Sequence, residues 1–85
     1  MLTKTHLYTL RRYTPPAKRN RLKKAVELAG LTQNEVAFGT RLHASYVSDI
    51  INGRYVSLTV RNAHRFRRFF GCDSVDDLFP DEEAK

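Results

Sequence analysis

Three observations predict an all-α domain. The apolar residues Val36, Ala37, Leu42, Val47, Ile50 and Ile51 recur at helical rather than alternating spacing, which gathers them on the inner faces of two short helices. Thr32 with Glu35 and Ser74 with Asp77 stand three residues apart as capping boxes, in which each side chain satisfies the other residue's backbone amide. Gly30, Asn52-Gly53, Gly71 and Pro80 fall where helices must stop: glycine and asparagine tolerate the left-handed conformation past a helix end, and proline cannot continue one. About five helices are expected, with Leu22, Val26, Val36, Ala37, Leu42, Val47, Ile50, Phe66 and Phe70 mostly buried.

The elements follow in order. Residues 1–16 form an N-terminal arm or extension, in which Thr3, Thr5, Tyr8, Thr9, Tyr13 and Thr14 are mixed with Arg11 and Arg12. This β-branched and aromatic content allows a short strand. The arm is expected to be an accessory of the core, lying along a partner or pairing two subunits. Pro15-Pro16 breaks regular structure and can begin a helix, since proline's fixed φ is tolerated in a first turn. That helix should run from about 17 to 29, burying Leu22, Ala25, Val26 and Ala29 and ending at Gly30. A second opens at Gln33 behind the Thr32 cap, and a third, about 44–52, turns Val47, Ile50 and Ile51 inward. After the loop RYVSL, a fourth runs from about 60 to 70, capped by Thr59 and stopped by Gly71. Its apolar set is Val60, Ala63, Phe66, Phe69 and Phe70. Ser74 opens a short last helix holding Val75, Leu78 and Phe79, and residues 80–85 form an acidic tail. The main domain is thus expected over 17–79.

Residues 31–53, LTQNEVAFGTRLHASYVSDIING, read as two short helices joined by a tight turn, the arrangement that lets one helix lie in the major groove of DNA. The segment resembles the lambda-repressor/Cro type of helix-turn-helix, also called the xenobiotic-response-element family. Thr32-Gln33 opening the first helix, Ala37 within it, Leu42 after the turn, Val47 and Ile50 in the second helix, and the closing Asn52-Gly53 carry the likeness, which extends over residues 20–79. Arg41 stands where that family usually has a turn glycine, and Thr40 where an aliphatic residue is common; Gly39 is expected to supply the flexibility instead.

The resemblance implies a compact five-helix DNA-binding domain that binds operator DNA as a homodimer, with a recognition helix at about 44–52. It implies base contacts at Ala44, Ser45 and Asp49, and phosphate contacts at Gln33, Tyr46, Asn52 and Arg54. Helix geometry adds Ser48 to the outer, base-facing set. Ala44 offers only an apolar contact, as to a thymine methyl; Ser45 donates or accepts; Asp49 can accept from a cytosine amino group but repels phosphate. No Arg or Lys lies on this helix to take guanine, so readout leans on Tyr46, on Gln33 or on DNA shape. Asp49 has a second reading as an ion pair with Arg54 or Arg61, and Tyr46 one as a core or dimer residue.

The chain has 85 residues and a formal net charge of +6. The charge is +7 over residues 1–30, −1 over 31–53, +5 over 54–71 and −5 over 72–85. Basic flanks therefore surround a nearly neutral motif, which suits phosphate-holding cations beside uncharged base readers. Lys18 and Arg19 join the phosphate set on this ground. Arg65, Arg67 and Arg68 alternate with the phenylalanines of one helix and read as a solvated face.

Other classes find little support. His6, His43 and His64 lack ligand spacing to one another or to Cys72, so no metal is expected. No glycine-rich phosphate loop occurs and no cofactor is expected. Ser45, His43 and Asp49 on one helix have no strained turn to make a nucleophile, so an enzyme is not expected. A single cysteine, Cys72, excludes an internal disulfide and reads as a small buried hydrophobe. No apolar run approaches the roughly 20 residues of a membrane helix, and a cytoplasmic protein without a membrane partner is expected. Three functions remain: a sequence-specific regulator on double-stranded DNA, an antitoxin-like or other module gripping a protein partner, and a non-specific nucleic-acid binder.

Overall fold

The computed structural model describes residues 2–13, 21–52, 54 and 58–79. Within them lie α1 (Lys4–Arg12), α2 (Leu22–Ala29), α3 (Gln33–Thr40), α4 (Ala44–Ile51) and α5 (Val60–Phe70), followed by a 3-10 turn at Val75–Asp77. No strand occurs among the described residues. Four of the expected helices are present as α2 to α5 and the short last one as a 3-10 turn, and one further helix stands where the sequence reading placed none.

That helix is α1, and it corrects the reading of the N-terminal segment as an accessory. Thr3 caps it: its hydroxyl accepts from the His6 amide at 3.1 Å, and His6 Nδ1 accepts from the Thr3 amide at 3.3 Å. Histidine here does what glutamate does in the usual capping box. Leu2 before the cap and Leu7 in the first turn occupy hydrophobic-staple positions, and with Leu10 they are buried in the main core. The Leu2 amide donates to the Phe70 carbonyl at 3.0 Å, which fastens the start of the chain to the end of α5. Threonine content failed as a strand signal because the outward face, Lys4, Thr5, Tyr8 and Thr9, is solvated and the leucines alone decide.

Arg21 seals the other end of α1. Its side chain donates to the carbonyls of Tyr13 at 3.0 Å and Arg11 at 2.9 Å, and its amide to Leu78 at 2.8 Å. The expected helix over about 17–29 is described from Leu22, with Leu22, Ala25 and Val26 buried and Ala29 partly so; residues 14–20 lie outside the described residues.

Three helices end in one motif. After α2, the Gly30 amide donates to Glu27 and the Leu31 amide reaches back to Val26; after α5, Gly71 donates to Arg68 and Cys72 to Arg67. After α3, Arg41 donates to Phe38 and Leu42 to Ala37 in the same pattern. This is the Schellman ending, whose first residue beyond the helix is left-handed. Gly30 (φ 69°) and Gly71 (φ 72°) take it freely, whereas Arg41 takes it at φ 62° with a side chain. Gly39 is therefore not the turn's flexible residue. It lies within α3, where any Cβ would overlap the Phe69 ring of α5, so it permits close helix contact instead. Arg41→Gly should raise stability by about 1 kcal/mol, the usual cost of a left-handed non-glycine residue, and urea denaturation followed by circular dichroism measures it. An unchanged or lower midpoint would contradict the strain.

Thr40, the other departure, is buried but satisfied, its hydroxyl donating to Val36 at 2.7 Å. The expected core holds: Leu22, Val26, Val36, Ala37, Val47, Ile50, Phe66 and Phe70 are buried, and Leu42 is partly buried. Val60 is exposed at the outer start of α5. The short last helix is a 3-10 turn, with Leu78 and Phe79 fully buried behind it and Phe79 edge-on to Phe66 at 5.9 Å.

Candidate nucleic-acid interface

The Thr32–Glu35 box starts α3 with bonds of 2.8 and 3.1 Å, and the Arg41 turn delivers the chain to α4. Burial of Val47, Ile50 and Ile51 fixes the rotation of α4. Its opposite face presents Ala44 and Ser45, both exposed, with Ser48 and Asp49 half-buried beside them. Gln33 is exposed at the first position of α3, and Asn52 is half-buried at the end of α4. Lys18 and Arg19 lie outside the described residues.

Hydrogen bonds organise this face. His43 caps α4: its Nδ1 accepts from the Ser45 amide at 3.3 Å and lies 2.8 Å from the Ser45 hydroxyl. Sequence reasoning considered His43 only as a metal ligand or catalytic base and missed this role; its place directly before the helix was the available signal. At the other end Asn52 Nδ2 donates to Ser48 Oγ at 3.2 Å.

Of the two readings of Asp49, the ion pair with Arg54 is present, Nη1 to Oδ1 at 2.9 Å, with the Arg54 amide donating to the Asp49 carbonyl at 2.9 Å. An exposed pair of this kind contributes little to stability, about 0–1 kcal/mol. Its consequence is electrostatic: the only acid on α4 is neutralised and its repulsion of phosphate reduced. Tyr46 packs against the core, and its hydroxyl accepts from Asn62 Nδ2 at 3.2 Å, tying α4 to α5.

Burial pushes the Cys72 thiol up to about 11, so it stays protonated and unreactive at neutral pH. Among the described residues no group of His, Cys, Asp or Glu could hold a metal ion, and no helix is long and apolar enough to cross a membrane.

A capped helix, a tight turn and a second helix whose solvent-facing side carries small side chains and a charge-paired aspartate define a DNA-binding helix-turn-helix domain. The helix-turn-helix family profile matches residues 22–76, and the chain belongs to that family, in its lambda-repressor/Cro type. No curated protein and no solved structure gives a significant match.

Proposed function

We propose that the protein is a sequence-specific transcriptional regulator of the bacterial or phage Cro/repressor kind, acting in the cytoplasm and binding operator DNA as a homodimer. Ala44, Ser45, Ser48 and Asp49 meet base edges; Gln33, Tyr46, Asn52, Arg54, Lys18 and Arg19 hold phosphates. The observation that carries this reading is the outward face of α4, where small polar side chains stand exposed and Asp49 is charge-paired by Arg54. A surface built only to attract polyanions has no reason to expose Ala44 and Ser45 between cationic flanks.

Sequence selection from random duplexes by the purified protein, at low and raised salt, tests it. A defined palindromic motif that survives raised salt supports both readout and dimer. Ser45→Ala or Asp49→Ala should alter the preferred bases, at a cost of about 1–3 kcal/mol where the residue reads one. Arg54→Ala should weaken specific and scrambled duplexes alike and lower the salt slope by about 0.9. Recovery of no motif, with equal binding to all duplexes, would make the protein a non-specific binder.

A further inference from the structure

Besides the α4 face the molecule carries a second built surface. Arg61, Arg65 and Arg68 recur at helical spacing along one side of α5, and Arg41 faces them from the turn after α3. Together with Thr40 and the Phe69 ring they line an open cleft of about 580 Å³. Arg65 is anchored, its Nη1 donating to the Thr40 carbonyl at 3.2 Å. No acidic residue lines the cleft, and none of the four guanidinium groups has a carboxylate partner among the described residues, whose ion pairs involve Arg11 and Arg54. Four like charges gathered without counter-charge repel one another, and an anion seated between them relieves this.

The cleft does not stand alone. Across Gly39 and Arg41 it joins a groove of about 640 Å³ floored by Ala37 and Leu42 and flanked by Phe38. Phe38 is 89% exposed, more than any other large apolar side chain described. A lone exposed apolar residue needs no explanation. An aromatic beside four arginines is another matter, because aromatic and arginine side chains are what protein interfaces concentrate. Phosphodiester backbone complements the arginines but offers nothing for Phe38 and Leu42. A polypeptide with carboxylates on either side of an apolar residue complements both.

We propose that the end of α3, the Arg41 turn and the Arg61–Arg65–Arg68 side of α5 form a docking site for an acidic segment of a partner protein that carries one large apolar side chain. The surface shares no residue with those assigned to DNA. Bidentate guanidinium–carboxylate pairs supply orientation, and Phe38 supplies the apolar contact.

The probe is a fluorescently labelled dodecapeptide of aspartate and glutamate with one central phenylalanine, titrated into the full chain by anisotropy and by amide-resolved NMR. Its controls are the same peptide with asparagine and glutamine replacing the acids, and a short scrambled duplex. Expected are shifts centred on Phe38, Arg41, Arg61, Arg65 and Arg68, and at least about tenfold weaker binding of the amide peptide. Arg68→Glu and Phe38→Ser, both at exposed positions, should each weaken the peptide at least about fivefold while circular dichroism is unchanged. The proposal is overturned if the peptide does not bind, if its shifts lie elsewhere, or if Phe38→Ser binds as wild type does. Displacement of the peptide by the duplex, with duplex shifts on these same residues, would make the cleft a nucleic-acid surface instead. Failure of DNA sequence selection leaves these outcomes untouched.

Discussion

Replacing Leu10 by alanine is expected to cost about 3 kcal/mol, and removing residues 2–13 to leave a chain that no longer unfolds cooperatively. Leu10 is fully buried, and Leu2 and Leu7 are buried with it. Truncating a buried leucine costs both its transfer free energy and the cavity left behind. A domain of this size has a total stability of only about 4–13 kcal/mol, so one such change consumes a large part of it. The truncation removes three core leucines, uncovers the apolar side of the 3-10 turn, and strips Arg11 from its two carboxylates. Urea titration monitored by circular dichroism distinguishes the cases: a truncated protein with a sharp transition near the wild-type midpoint would return residues 2–13 to the status of an accessory arm.

The contrast between α1 and the helix-turn-helix shows what a sequence can reveal. α3 and α4 were legible because their signals are local: Thr32 and Glu35 cap within one turn, and Val47, Ile50 and Ile51 mark one face. α1 was not, because Leu7 and Leu10 amount to one turn of periodicity, and what makes them core is packing against α2 and against the 3-10 turn some sixty-five residues on. His6 as the closing half of a capping box is equally invisible to a rule written for Glu and Gln.

The turn was read correctly as a departure and wrongly as to its remedy. Only the Schellman hydrogen bonds identify Arg41 rather than Gly39 as the left-handed residue, and only the Phe69 ring explains the glycine. On the site, exposure of Ala44 and Ser45 followed from periodicity. The Asp49–Arg54 ion pair did not, because Arg54 stands beyond the end of α4, where helical periodicity no longer applies.

The other large effect is expected at Asp77, which joins the end of α1 to the 3-10 turn. Its carboxylate accepts from Arg11 Nε at 2.7 Å and Nη2 at 3.1 Å, and from the amides of Asp73 at 3.2 Å and Ser74 at 3.3 Å. The side chain is only 9% exposed, so water cannot replace these donors. Asp77→Ala removes the cap of the 3-10 turn and takes the acceptor from Arg11 and from the part-buried Asp73 and Ser74 amides, a loss of about 1–2 kcal/mol. Asp73→Ala should be nearly silent, because that carboxylate is 80% exposed and shares the same guanidinium from outside. The hydrogen bonds from Arg11 hold the Asp77 carboxyl below its ordinary range, against burial, which pushes the other way, with the two backbone amides assisting. A carboxylate depressed in the folded state contributes stability that is complete above its unfolded value, about 3.9, and is lost as pH falls through the folded one. Wild type should therefore weaken below about pH 4 in a step that Asp77→Asn lacks, while the two lines run parallel at neutral pH, offset by the lost charge. Urea midpoints from pH 2 to 7 measure both. Parallel lines throughout would mean that α1 and the 3-10 turn are held together by their leucines and phenylalanines alone, with the Arg11–Asp77 pair a bystander.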